Sequence, residues 1–216
     1  MLCNLFLADE LNRATSRTQS ALLEALEEGQ VTWDGVSHAV PQPFLVIATQ
    51  NPAGASGTQL LPDSQMDRFM VRLSMGYPSP KDEAAMVLNR QGGNPLHDLI
   101  PLMTREDLTA IQDTVEETYL SDSVVNYIVS LIGATRSSPD ILRGASPRAT
   151  LAVTAMAKSV ARLRGRDYVT PADVKEVFAH TIAHRLILSP KAEAQGKQPQ
   201  AVLQDILAAV PAPRLR

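Results

Sequence analysis

The sequence predicts an α/β fold: part of a parallel-sheet domain at residues 1–78, then an all-α domain at 79–190, then a linker with a short helix at 191–216. Three observations carry that expectation. Two short continuous apolar runs, LFLA at 5–8 and FLVIAT at 44–49, have the composition of strands covered on both faces of a parallel sheet. A helix and a hairpin lie between them, the order of an α/β sheet. Beyond Gly76-Tyr77-Pro78 the segments read as helices with legible caps, so the architecture changes near 78.

The elements follow in order. The run at 5–8 ends in Asp9-Glu10. It begins almost at residue 1 without a lead-in, which raises the expectation that an N-terminal portion is missing. A helix spans about 17–28: Leu22, Leu23, Ala25 and Leu26 form its apolar stripe, Thr15 or Ser16 can cap it, and Gly29 suits its C′ position. VTWDGVSHAV reads as a β-hairpin, because Val31 and Trp33 alternate, Asp34-Gly35 is a two-residue turn, and Val36, His38 and Val40 alternate again. FLVIAT ends in Gln50-Asn51-Pro52, and the Gly-rich loop PAGASGTQ follows. LPDSQMDRF reads as a short helical turn and FMVRLSM as a strand. Helix starts come at Ser79-Pro80, Thr104-Arg105-Glu106-Asp107, Ser121, Ser146-Pro147 and Thr170-Pro171-Ala172-Asp173. LSPKAEAQGKQPQ reads as linker, and AVLQDILAAV as a short terminal helix.

Bulk properties exclude several function classes. Hydrophobic content of 44% and charge of 20% suit a folded chain rather than a disordered one. A net charge of −3 gives no basic field, so nucleic acid is not the expected partner. One cysteine, Cys3, excludes an internal disulfide and suits a reducing compartment. No window reaches the apolar length of a membrane span, and MLCNLFLADE lacks the basic region and cleavage site of a secretion signal. A cytoplasmic location and no membrane partner are the expectation.

Five residues stand out chemically. Carboxylates at the C-terminal edge of a parallel strand point into the crevice where such sheets bind ligands. There Asp9 can hold the water shell of a Mg²⁺ that bridges phosphates, while Glu10 polarises an attacking water. Solvated acids between a strand and a helix are the plainer alternative. Asn51 follows the second run, so parallel pairing of the two would set its amide beside the acids, where it could orient water or touch a phosphate. An Asn-Pro turn is the alternative. Arg148 lies at the second position of a helix, where the dipole is already positive. Either an anion sits there or a nearby acid pairs with it. Arg68 lies on the turn that follows the Gly-rich loop. His38, His97, His180 and His184 fit no zinc spacing, and no GxSxG string is present.

The order of these pieces resembles the AAA+ ATPases, and within them the MoxR group. LFLADELNRA resembles the group's Walker B signature and ALLEALEEGQVT its following helix. FLVIATQNP is similar to the sensor-1 strand, LPDSQMDRF to the arginine-bearing turn, and GYP marks the exit to the lid. ATRSSPDILRGASPRA resembles the sensor-2 region, and GRDYVTPADV with AHR the closing helices. The resemblance covers the chain from Leu5 to about Leu188. It implies a partial AAA+ nucleotide domain followed by a helical lid, with ATP and Mg²⁺ as cofactors. It makes Asp9 the Mg²⁺-associated carboxylate, Glu10 the general base, Asn51 sensor 1, Arg148 sensor 2, and Arg68 the finger that serves a neighbouring subunit's nucleotide. It further implies a homo-oligomeric ring, usually hexameric. The ring would remodel or mature a client protein, such as one with a von Willebrand factor A domain.

This chain departs from the family pattern in two places. No GxxxxGK[ST] string occurs in it, so the amides and lysine that cradle β- and γ-phosphates are absent from these residues, and the expectation is weak turnover or none. Gly54 stands where the family usually has glutamate, and Gln59-Leu60 where it has Tyr-Pro. A non-catalytic module that occupies a ring or binds a client is therefore the alternative reading.

Overall fold

A computed structural model describes residues 2–51, 61–91 and 95–214 of the chain. The first apolar run forms β1 (Leu5–Ala8). A 3₁₀ turn follows, and then α1 (Ser16–Glu28), whose Thr15 hydroxyl accepts the Thr18 N–H and whose Gly29 closes it at φ 62°. A residue with no Cβ meets that left-handed requirement without strain. The hairpin is β2 (Gln30–Trp33) and β3 (Val36–Ala39), in antiparallel register Gln30↔Ala39 to Trp33↔Val36. Asp34 and Gly35 both take positive φ, the geometry that lets a two-residue turn follow the strands' twist.

The second run forms β4 (Leu45–Ala48), which pairs parallel with β1 in register Leu5↔Leu45 to Ala8↔Ala48. Phe6, Ala8, Val46 and Ala48 pack on a core of Leu11, Leu22 and Leu61, so α1 covers this face of the pair. The opposite face, Leu5, Leu7, Leu45 and Ile47, is 48–62% exposed, so among the described residues only one side of the sheet is covered.

The arginine turn contains α2 (Asp63–Met66). The strand expected from FMVRLSM does not form: residues 70–76 have no regular structure. A strand is stable only against a hydrogen-bonded neighbour, and the described parallel sheet holds β1 and β4 alone. The loop at 52–59, with Gly54 and the Gln59-Leu60 departure, lies outside the described residues.

The helical half begins with α3 (Pro80–Gln91) and α4 (Arg105–Glu116), the latter opened by a capping box between Thr104 and Asp107. Then come α5 (Asp122–Ser137), β5 (Ile141–Arg143), α6 (Pro147–Leu163), α7 (Pro171–Ile182), β6 (Ile187–Leu188), α8 (Pro190–Ala194) and α9 (Pro199–Ala209). The expected stripe of α5, with Val124, Tyr127, Ile128 and Leu131, is buried as one face. It joins Ala149, Val153 and Ala157 of α6 and Val174, Val177 and Phe178 of α7 in a single core.

The C-terminal segment differs from expectation. The stretch read as linker contains α8, with Ala192 fully buried, and β6 pairs antiparallel with β5. Val202, Leu203, Ile206 and Leu207 of α9 insert into the same core. Small residues and an Ala-rich amphipathic helix gave a weak local signal, and burial against α5 and α7 decided the outcome. The last elements are part of the helical body.

Candidate functional site

Parallel pairing sets the two strand ends side by side, and one threonine joins them. Thr49 Oγ1 donates to Asp9 Oδ1 at 2.6 Å and accepts the Glu10 N–H at 2.8 Å. Its carbonyl accepts the Leu11 N–H at 3.0 Å. These bonds bend the chain sharply after β1, and Glu10 sits at φ 47°, ψ 47°. A non-glycine residue in that region costs about 1–2 kcal/mol, and such residues cluster at functional sites. Glu10 Oε2 meets Arg13 Nη1 at 2.9 Å, and Asn12 Nδ2 donates to the Asn51 carbonyl at 3.2 Å. Asn12 is 2% exposed, and its Oδ1 is buried without a partner. Parallel pairing thus brings Asp9, Glu10 and the Asn51 backbone to one edge.

The donor set fits Mg²⁺. Among the described residues no three His, Cys, Asp or Glu side chains group together. Mg²⁺ does not need such a cage, because it keeps its waters and takes one or two carboxylates plus substrate phosphate oxygens. Asp9, steadied by the Thr49 hydroxyl, offers a hard-oxygen ligand of that kind.

Arg148 and Arg68 come together elsewhere. Both guanidiniums close on Glu27, Arg68 through Nη1 to Oε2 and Arg148 through Nη2 to Oε1. Glu27 lies in the last turn of α1, whereas the acid pair borders its first turn, where Gln19 donates to the Leu11 and Ala14 carbonyls. From Thr15 to Glu27 the helix axis runs about 18 Å. Arg148 therefore pairs with an acid, the plainer of its two sequence readings, and does not share the strand-end edge with Asp9. Arg68 Nε is buried without a partner, so the pair retains an unused donor.

A second carboxylate organises the same corner. Asp67 Oδ2 accepts the Ser146 hydroxyl at 2.8 Å, Oδ1 accepts Arg185 Nη1 at 2.9 Å, and Arg148 Nη1 lies 3.9 Å away. The Arg185 side chain is 2% exposed and also donates to the Thr181 and Phe69 carbonyls at 3.0 and 2.7 Å. Burial pulls its pKa down, and the Asp67 charge opposes that pull. His184 places Nε2 at 3.0 Å from the Phe69 carbonyl. Burial, opposed by that hydrogen bond, lowers its pKa to about 4, so the ring is neutral and Nε2 carries the donating proton.

Sequence reasoning missed Thr49, Glu27, Asp67 and Arg185. Thr49 ended an apolar run and showed no signal of its own. Asp67 and Arg185 stood in the quoted strings DRF and AHR, but only the fold reveals that the two strings touch. Elsewhere Trp33 at the hairpin tip is 71% exposed. Among the described residues no helix is long and apolar enough to cross a membrane.

Comparison with known proteins agrees with this architecture. Residues 1–71 match the model of the ATPase family associated with various cellular activities (AAA), and residues 133–206 match the AAA lid domain. Protein YeaC of Bacillus subtilis is 41% identical over 210 residues, which is 97% of this chain and 66% of that protein. Chaperone MoxR1 of Mycobacterium tuberculosis is 38% identical over the whole chain and 59% of its own length. A crystal structure of a Cytophaga hutchinsonii protein superposes with a TM-score of 0.93 at 35% identity, covering 99% of this chain and 67% of that one. The chain spans about three fifths to two thirds of the relatives it matches. With strand pair, acid edge, arginine turn and lid in the same order, the chain belongs to the MoxR group of the AAA+ ATPases.

Proposed function

We propose that this chain forms the rear of the nucleotide domain and the lid of an ATP-hydrolysing ring protein. Such a ring, hexameric by family habit, couples turnover to remodelling or maturing a client in the cytoplasm. A relative named a chaperone supports the remodelling role. A client with a von Willebrand factor A domain is the specific expectation that the MoxR resemblance carries. The single observation that supports the reading most is the strand-end edge, where Thr49 ties Asp9 and Glu10 together beside Asn51.

In this reading Asp9 orients Mg²⁺, which when bound offsets phosphate charge. Glu10 takes the proton of an attacking water, within reach of Asn51, which holds that water in line. Arg148 and Arg68 supply positive charge to a terminal phosphate once they leave Glu27. The phosphate-cradling amides and lysine come from outside these residues, because no GxxxxGK[ST] string is present in them.

That same missing string favours the second reading, a module that joins a ring or a client without turnover. Nucleotide titration separates the two. The 216-residue chain is compared with a version extended at its N-terminus by the in-frame upstream codons. Tight, Mg²⁺-dependent binding and hydrolysis by the extended form alone are expected. Failure of the extended form to bind ATP would leave the non-catalytic module.

A further inference from the structure

We propose that Asp67 and Arg185 are positioning residues that set where Arg68 stands relative to Arg148. The proposal deepens the ATPase reading and rests on it for the roles of the two arginines. Arg68 and Arg148 are far apart in sequence, and the chain between them contains the irregular stretch 70–76. That connection is tied down at Arg72, whose N–H meets the His180 carbonyl, and Arg143 pairs with Asp63 at 2.8 Å. Asp67 adds the link that lies nearest the two arginines. It neighbours Arg68, and it accepts the Ser146 hydroxyl, which belongs to the N-cap residue of α6, two positions before Arg148. One carboxylate therefore fastens the arginine turn to the start of the helix that carries the other arginine.

Arg185 fixes that carboxylate in turn. Its side chain is 2% exposed, so its donors need acceptors, and it finds three of them on two elements. The Thr181 carbonyl belongs to α7, while the Phe69 carbonyl and Asp67 Oδ1 both belong to the arginine turn. A planar fork spanning three fixed acceptors transmits position in a way a flexible ammonium does not. His184, also on the Phe69 carbonyl, and Arg72 N–H on the His180 carbonyl at 3.2 Å, add to the same seam. The result is that both guanidiniums arrive at one carboxylate, Glu27, each on its own oxygen. A small displacement of either would separate them, and misplacement of a charged group by about 1 Å costs roughly 100-fold in a positioned reaction.

The test reads position directly. In the full 216-residue chain, Cys3 is replaced by serine and spin labels are placed at Ser64→Cys, beside the arginine turn, and at Leu151→Cys, which is 73% exposed on α6. Pulsed electron resonance then gives the distance distribution. A single narrow distance is expected in the parent, with Asp67→Ala and Arg185→Leu each broadening it while circular dichroism keeps the helical signal. Should those two variants unfold, Ser146→Ala, which removes one hydroxyl, decides by the same broadening. An unchanged distribution in the folded variants overturns the proposal. In the extended, ATP-binding form, Asp67→Asn should lower kcat roughly 10- to 100-fold with KM for ATP little changed. If the extended parent hydrolyses no ATP, the ATPase reading falls, and the distance measurement still decides the positioning role.

Discussion

Among the described residues, His184 is one whose chemistry the fold alters strongly. Its ring is buried against the Phe69 carbonyl, with Arg185 and Arg72 nearby, and burial first of all lowers its pKa from 6.5 to about 4. Nδ1 is buried with no partner, so protonating the ring would place a charge against arginines without an acceptor to receive it. The unfolded chain binds a proton near pH 6.5 and the folded chain does not until about 4. The stability this group contributes is therefore complete above pH 6.5 and is lost progressively as pH falls toward 4. Between pH 6.5 and 5 the loss should be about 2 kcal/mol, measured by urea unfolding, and the slope should vanish in His184→Gln. A flat profile in the parent would contradict a neutral, buried ring. Sequence alone could not give this, since His184 read there only as one of four histidines that fit no zinc spacing.

Among the elements, local signals were legible wherever they were strong. Thr15, Thr104 and Thr170 open helices as read, Gly29 closes one, and Asp34-Gly35 turns the hairpin. Elements with a weak local pattern that depend on a distant partner were not legible. Residues 70–76 have strand alternation but no strand beside them, while β5 and β6 are three and two residues long and exist because they find each other. The turn between β5 and α6 shows how such a feature is enforced. Gly144 lies so close to α5 that an added Cβ would fall 2.7 Å from the Thr135 carbonyl oxygen and 2.8 Å from the Arg136 Cα. Both are backbone atoms and cannot swing aside. Thr135 Oγ1 also accepts the Ala145 N–H at 3.0 Å, and Arg136 Nε donates to the Ala145 carbonyl at 2.9 Å. Gly144→Ala must push this turn outward and carry Ser146 and Arg148 with it. We expect a loss of about 1–3 kcal/mol in urea unfolding, and an unchanged midpoint would mean the turn yields freely.

At the scale of the whole molecule, the acid edge and the arginine pair occupy opposite ends of α1. The sequence placed Asp9, Glu10 and Asn51 together because two parallel strands impose it. It could not place Arg148, because nothing local fixes how the lid seats on the sheet. A separation of about 18 Å along α1 is too great for one phosphate to touch both ends. We propose that, in a ring, both arginines serve the neighbour's nucleotide, and mixing of ATP-binding, N-terminally extended subunits tests it. Glu10→Gln subunits should bind ATP and lose about 100-fold in turnover, having lost their base while keeping their arginines. Arg68→Ala subunits have a sound acid edge and lack the charge they would lend. Mixed together, each supplies what the other lacks, so turnover should rise above the sum of the two alone, and Arg148→Ala should behave like Arg68→Ala. Rescue for Arg68→Ala but none for Arg148→Ala would return Arg148 to its own subunit's site, and would require the lid to swing the length of α1 when ATP binds.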